Sequence, residues 1–302
     1  MVAYYVIKYI KTQQISLCNS YFKKYCKKEE YIFTSLEVNK IYNMDCLDGM
    51  KLIQDNSIDL IITSPPYDNI RDYEKNNWKL DLYSIGKEIS RILKSGGMCV
   101  MVIQDQTIKG NKSGTSFRTI VNWIDNTELN LWECCIYYRS GTPGAWWNKR
   151  FRVDHEYIPI FIKGKKPQHF NKEHMLETTK LEYGITKIGL GNRNTNGTTI
   201  YDKSKTYQLP KQKSQGTVIH YKNASRETPK TSKIGNVKLQ HPATFPDKLA
   251  SDFIQCFTVE NMIVLDPMMG SGTVARMAKK LNRNFIGFEI NKTYCDLIEK
   301  IL

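Results

Sequence analysis

Ile58-Asp59-Leu60-Ile61-Ile62-Thr63-Ser64-Pro65-Pro66-Tyr67 decides the fold class of this 302-residue chain. Its first six residues are a nearly continuous β-branched run, the composition of a parallel strand buried on both faces. Two prolines cannot continue the ladder, so Ser64 to Tyr67 falls on a loop at the carboxyl edge of the sheet. Upstream, Val38 to Met44 reads as a short strand and Leu47 to Gln54 as a short helix. Downstream, Leu82, Ile85, Ile89, Ile92 and Leu93 mark one face of a helix, with Gly96-Gly97 expected as its C-cap. Met98 to Ile103, Cys134 to Tyr138 and Tyr157 to Ile162 read as further strands. The alternation returns near the end: helix Leu249 to Phe257, strand Met262 to Leu265, helix Val274 to Leu281 and strand Phe285 to Phe288. Asn291 is expected to cap a last helix through Ile301. Strands alternating with helices predict an α/β fold with a doubly wound, mostly parallel sheet.

A second edge loop carries the segment Leu265-Asp266-Pro267-Met268-Met269-Gly270-Ser271-Gly272-Thr273. Glycines let the backbone approach a ligand, and free N–H groups at the helix start can face it. The next strand ends in Phe288-Glu289, where a carboxylate can accept ribose hydroxyls. The glycine spacing is not that of a dinucleotide fingerprint. Asp266 at the strand end instead suits a cationic amino group. Two acids around a glycine turn suit S-adenosylmethionine, which has an amine and no phosphate. A glycine turn alone is equally a structural feature.

Ser64-Pro65-Pro66-Tyr67 suits activation of an exocyclic amino group, whose lone pair is delocalised into its ring. Acceptors on the two N–H bonds, the Ser64 hydroxyl and the Pro65 carbonyl, favour a tetrahedral nitrogen in the transition state. Tyr67 can stack on a base turned out of a duplex. A bare Pro-Pro-Tyr, by contrast, is a rigid turn with a packed tyrosine.

Composition bounds the partners. Lys and Arg exceed Asp and Glu by 14, a balance that suits a polyanion. The segment 164–240 holds 15 Lys/Arg against 5 Asp/Glu and breaks the α/β rhythm, as a small loop-rich domain or a partly disordered stretch would. Lys211 and Lys213 lie within it as candidate DNA contacts. Trp146 and Trp147, flanked by Arg150 and Arg152 on a Gly/Pro loop, are candidates of the same kind, with core packing of a tryptophan as the alternative. The eight cysteines form no Cys-x-x-Cys pair and the histidines have no zinc-like spacing from them, so no metal is expected. Scattered cysteines, no apolar run of membrane-spanning length and no signal-peptide pattern point to a cytoplasmic protein.

Together these segments resemble the amino-group DNA methyltransferases. Ser64 to Tyr67 resembles their catalytic motif, and Asp266 to Thr273 their cofactor motif, with Met268 in place of phenylalanine. Phe285 to Glu289 is similar to their ribose-binding strand. His241-Pro242-Ala243-Thr244-Phe245-Pro246 resembles the segment that holds the methionine part of the cofactor, and Asp45-Cys46-Leu47 a turn near its adenine. His155-Glu156-Tyr157 resembles a segment near the base pocket. Catalytic motif first and cofactor motif last is the order of the circularly permuted beta group, with a Rossmann-like fold and a target-recognition insertion between the halves.

The resemblance implies S-adenosylmethionine as cofactor and double-stranded DNA as substrate. His241, Pro242 and Phe245 join Asp45, Cys46, Asp266, Pro267, Met268, Gly270, Ser271, Gly272, Thr273 and Glu289 around the cofactor. A separate restriction endonuclease is a further partner it allows, in a prokaryotic or phage-encoded setting. Ser at the first motif position favours cytosine N4, with adenine N6 as the alternative. Residues 1–37 are expected as an extension, 38–163 as the catalytic half, 164–240 as the recognition region and 241–302 as the cofactor half. The rivals are an RNA or protein-glutamine methyltransferase, an inactive nucleic-acid-binding relative, and a nicotinamide dehydrogenase. Motif order disfavours the first, the intact Ser64, Asp266 and Glu289 the second, and glycine spacing the third.

Overall fold

A computed structural model describes residues 36–66, 80–139, 151, 153–178, 186–208, 211–221 and 246–302. The first half builds β1 (Lys40–Tyr42), α1 (Cys46–Lys51), β2 (Ile58–Thr63), α2 (Leu82–Ile92) and β3 (Leu93–Met101). A small hairpin, β4 (Thr107–Ile108) and β5 (Asn111–Lys112), precedes α3 (Thr115–Asn126), β6 (Leu129–Arg139) and β7 (His155–Lys163). Then come β8 (Leu176–Thr178), β9 (Thr186–Arg193), β10 (Thr199–Gln208), β11 (Gln212–Ser214) and β12 (Val218–Tyr221). The last part is α4 (Asp247–Phe257), β13 (Ile263–Asp266), α5 (Thr273–Lys280), β14 (Asn284–Phe288) and α6 (Lys292–Ile301).

Eight strands form one sheet in the order β1-β14-β13-β2-β3-β7-β6-β12. All run parallel except β7, which is antiparallel to both β3 and β6. Every residue of β2 is buried, because the sheet is covered on both faces. Ile61 packs with Met50 of α1, Ile85 and Ile89 of α2 and Trp123 of α3. Leu60 and Ile62 belong to the other core, with Leu249 and Phe253 of α4, Val274 of α5 and Ile298 of α6. Fully burying each such side chain contributes about 1.5–3 kcal/mol. The one charge inside β2 is satisfied. Asp59 accepts from Lys94 Nζ at 2.6 Å and from the Ile263 N–H at 2.8 Å, which pins the start of β13 to β2.

The structure corrects the glycine pair. Helix α2 ends at Ile92 with Leu93 as its C-cap, and Gly96-Gly97 lies inside β3. Ile58 faces Leu93 but Leu60 faces Met98, so residues between 93 and 98 bulge from the ladder. Gly96, at φ 82, lets the bulge approach the backbone of Lys166 and Gln168, where a Cβ would lie 2.9 Å and 2.8 Å from backbone atoms.

Helix α3 has no counterpart among the elements read from the sequence. Trp123 anchors it: its ring lies against Gly86 of α2, where a Cβ would sit 2.4 Å from Nε1, and its N–H donates to the Leu82 carbonyl at 2.8 Å. Within 164–240, β9 pairs with β10 and β8 with β11, both antiparallel. Strand β12 instead extends the central sheet, and Ile219 and Tyr221 enter its core. No helix among the described residues is long and apolar enough to cross a membrane.

Candidate active site

Strands β2 and β13 are parallel neighbours, with Leu60 opposite Val264 and Ile61 opposite Leu265. Their carboxyl ends therefore leave the sheet side by side. Ser64, Pro65 and Pro66 follow one and Asp266 ends the other. The Val102 N–H donates to the Thr63 carbonyl at 2.9 Å, so the chain after β3 also runs beside this loop. Pro65 is buried and Ser64 half-buried, which restrains the loop where it leaves the strand.

Asp266 is 2% exposed and accepts the Met268 N–H at 3.1 Å. Burial pushes its carboxyl up to about 7; the charge of Glu289 adds to this, while the Met268 N–H and the Thr63 hydroxyl pull the other way. A cationic group beside Asp266 would restore its charge. Pro267 is buried behind it and Met268 packs on the core of the α1–α3 face. Gly270 and Gly272 hold φ of 53 and 74, the left-handed region that favours glycine. A Cβ on Gly272 would meet Ile298 Cγ2 at 2.5 Å. Ser271 and Thr273 exchange a hydroxyl hydrogen bond at 3.2 Å across the start of α5.

Three N–H groups of this turn are bonded within the protein. Met269 donates to the Phe288 carbonyl at 2.9 Å and Gly272 to the Met269 carbonyl at 2.9 Å. Gly270 donates to Glu289 Oε2 at 2.8 Å. The Met269 and Gly270 donors are thus spent on the end of β14 and the Gly272 donor on the turn itself. Glu289 is 8% exposed, and burial raises its pKa. Its Oε1 accepts the Asn291 N–H at 2.8 Å, which leaves each carboxylate oxygen a lone pair for a ribose hydroxyl.

Asp45 and Cys46 reach the same edge, because β1 pairs in parallel with β14. Asp45 caps α1 through the Leu47 N–H at 2.8 Å, and Cys46 is buried behind it. Burial raises the pKa of each described cysteine, to about 12 for Cys46, Cys135 and Cys256, so none is a thiolate at neutral pH. Glu156, buried on the interior strand β7, pairs with Arg139 at 3.0 Å. Lys211 and Lys213 are exposed on and beside β11. Tyr67, Trp146, Trp147, Arg150, Arg152, His241, Pro242 and Phe245 lie outside the described residues.

Three contributors escaped the sequence reading. Asn43 Nδ2 donates to the carbonyls of Glu289 and Ile290, each at 2.9 Å, locking the end of β1 to that of β14. Gly287 makes room for Met269, whose Cε would lie 1.9 Å from a Cβ there. Asp105, buried just beyond β3, accepts the Ser116 N–H at 2.8 Å and so caps α3. An acid shortly after a buried strand was the legible signal for Asp105.

A doubly wound sheet with two buried acids beside a glycine turn at one edge suits an α/β enzyme whose cofactor carries a nucleoside and a cation. The family model described as DNA methylase, for N6 and N4 methyltransferases, matches residues 58–300, and the chain belongs to that family. It is 35% identical over 252 residues to the orphan methyltransferase M.BamHII of Bacillus amyloliquefaciens, covering 83% of this chain and 90% of that protein. The fold matches that of PvuII DNA methyltransferase (cytosine-N4-specific) at a TM-score of 0.64 and 22% identity, over 88% of this chain and 86% of the other. It matches M1.HpyAVI in its SAM complex at 0.54 and 24% identity, over 87% of this chain and 99% of that one.

Proposed function

We propose that this DNA methyltransferase methylates N4 of cytosine in double-stranded DNA. S-adenosylmethionine, the methyl donor, supplies an electrophilic methyl group on a sulfonium. One observation carries the reading: β2 and β13 are parallel neighbours, so the Ser64-Pro65-Pro66 loop and Asp266 share one sheet edge. Asp266 holds the amino group of the cofactor and Glu289 its ribose, while Asp45, Cys46, Pro267, Met268 and the Gly270 to Thr273 turn shape the surrounding walls. The Ser64 hydroxyl and Pro65 carbonyl accept the two N–H bonds of the target amine and turn its lone pair toward the methyl group. Pro66 stiffens the loop and Tyr67 stacks on the extruded base. His241, Pro242 and Phe245 complete the methionine side.

The nitrogen's surplus proton passes to water, so no cysteine nucleophile is required, in keeping with the protonated thiols. Serine at position 64 supports cytosine, as does the fold match to PvuII DNA methyltransferase (cytosine-N4-specific). The 164–240 segment, with Lys211 and Lys213, forms the recognition region between a catalytic half (38–163) and a cofactor half (241–302). Trp146, Trp147, Arg150 and Arg152 add DNA contacts. The protein acts in the cytoplasm, alone or alongside a separate restriction endonuclease. Methylation of mixed-sequence DNA with labelled cofactor, followed by nucleoside mass spectrometry, tests this reading. N4-methylcytosine is expected; N6-methyladenine would overturn the base assignment, and no methylated nucleoside would overturn the activity.

A further inference from the structure

Five non-glycine residues among those described hold a positive φ: Asn39, Asn56, Lys109, Asn261 and Asn282. Four are asparagine, whose short amide side chain tolerates the left-handed region well. Lys109 is the exception. It lies at φ 48, followed by Gly110 at φ 81, in the two-residue turn between β4 and β5. Two successive positive φ values are the signature of a type I′ hairpin turn, whose first position favours Asn, Asp or Gly. The chain thus places a lysine where asparagine, used at each of the other such positions among the described residues, would carry less strain.

Packing does not account for the lysine. Thr107, Ile108, Lys109, Asn111 and Lys112 are all exposed. The root of the hairpin is anchored, however. Lys112 Nζ donates to the Asp105 carbonyl at 3.0 Å, and the Ser113 N–H donates to the Gln106 carbonyl at 2.9 Å. Arg118 donates to the Ser113 carbonyl and brings a second cation to the root. The hairpin leaves the sheet just after Val102, whose N–H is bonded to the Thr63 carbonyl beside Ser64. A short hairpin, bonded at its root and with a positive-φ lysine at its tip, therefore follows the strand that ends beside the Ser64 loop.

We propose that Lys109 is a DNA-backbone contact, carried by the β4–β5 hairpin to a phosphate near the target nucleotide. This rests on the methyltransferase reading above. Strain in an exposed turn is retained because the ammonium, which asparagine lacks, neutralises a phosphate.

The test compares the full-length protein with Lys109→Asn and Lys109→Arg. The readouts are duplex-DNA affinity by fluorescence anisotropy across a salt series, thermal midpoint, and turnover at saturating DNA. Lys109→Asn is expected to keep or raise the midpoint and to weaken DNA binding about three- to tenfold near 0.1 M salt. The log–log salt slope should become shallower by about one unit. Turnover at saturation should stay within about twofold, and Lys109→Arg should bind like the parent. An unchanged affinity and slope in Lys109→Asn would overturn the contact, and so would a midpoint that falls together with affinity. If the parent methylates DNA in either case, only this inference fails; a parent that binds no duplex overturns the methyltransferase reading and the contact with it.

Discussion

The Gly270 N–H donates to Glu289 Oε2 at 2.8 Å, so the turn after β13 and the acid after β14 form one hydrogen-bonded unit. The other carboxylate oxygen holds the Asn291 N–H at 2.8 Å. Glu289→Ala strands both donors and should cost about 1–3 kcal/mol in urea unfolding. Calorimetric affinity for S-adenosylmethionine should fall more than about tenfold. Retention of both stability and affinity would remove Glu289 from the cofactor site.

Asp266 makes stability depend on pH. Burial raises its carboxyl to about 7 in the folded protein, against about 4 in an unfolded chain. Between those values the folded state holds a proton that the unfolded state has released. Its contribution is therefore full below about pH 4, shrinks as pH rises toward 7 and is flat above, a change of up to about 4 kcal/mol. Asp266→Asn should flatten this part of the urea-unfolding pH profile. Cofactor binding to the parent below pH 7 should release a proton, seen as buffer-dependent calorimetric heats that are absent in the variant.

Met269 lies in the space that Gly287 leaves open, with Cε 1.9 Å from where a Cβ would stand. Gly287→Ala must drive that side chain out and disturb the turn, costing about 1–3 kcal/mol. Adding Met269→Ala should then recover part of the loss, with a coupling above about 0.5 kcal/mol in a double-mutant cycle. Additive losses would show that the two residues do not compete for one space.

In the proposed mechanism Ser64→Ala removes one acceptor from the target amine and leaves the glycine turn intact. Turnover should drop roughly ten- to a hundredfold, with cofactor affinity within about threefold. Loss of cofactor binding with normal turnover per bound complex would reverse the division of roles between the two edge loops.

The basic 164–240 segment predicts a steep salt response. With about 5 phosphate contacts, DNA affinity should fall with a log–log slope near −4 to −5. A flat response in anisotropy titrations would take the segment out of the interface.

Local patterns were legible where a residue's own neighbours set its structure. Ile58 to Thr63 is the strand β2 with the same ends, since a β-branched run has no other way to bury both faces. Asn291 caps α6 because its side chain accepts the Thr293 N–H two residues away, at 2.9 Å. Gly96-Gly97 misled because a positive-φ glycine serves a bulge as well as a helix end, and the choice rests on the distant Lys166 and Gln168. Helix α3 went unread although Trp123 is its anchor, since that tryptophan's partners, Leu82 and Gly86, belong to another helix. Strand β12 was hidden in a polar segment, as only pairing with β6 gives its short apolar pattern a face to bury.

The residues alone determined the kind of chemistry: a stiff Ser-Pro-Pro loop, acids at strand ends, and glycines where φ must be positive. Folding decided that these belong to one place. Asp59 and Ile263, 204 residues apart, share a hydrogen bond that sets β13 against β2. Folding also decided that the N–H groups of Met269, Gly270 and Gly272 bond within the protein. Strand adjacency and donor pairing are relations through space, created by the burial of both sheet faces, and no period along the chain encodes them.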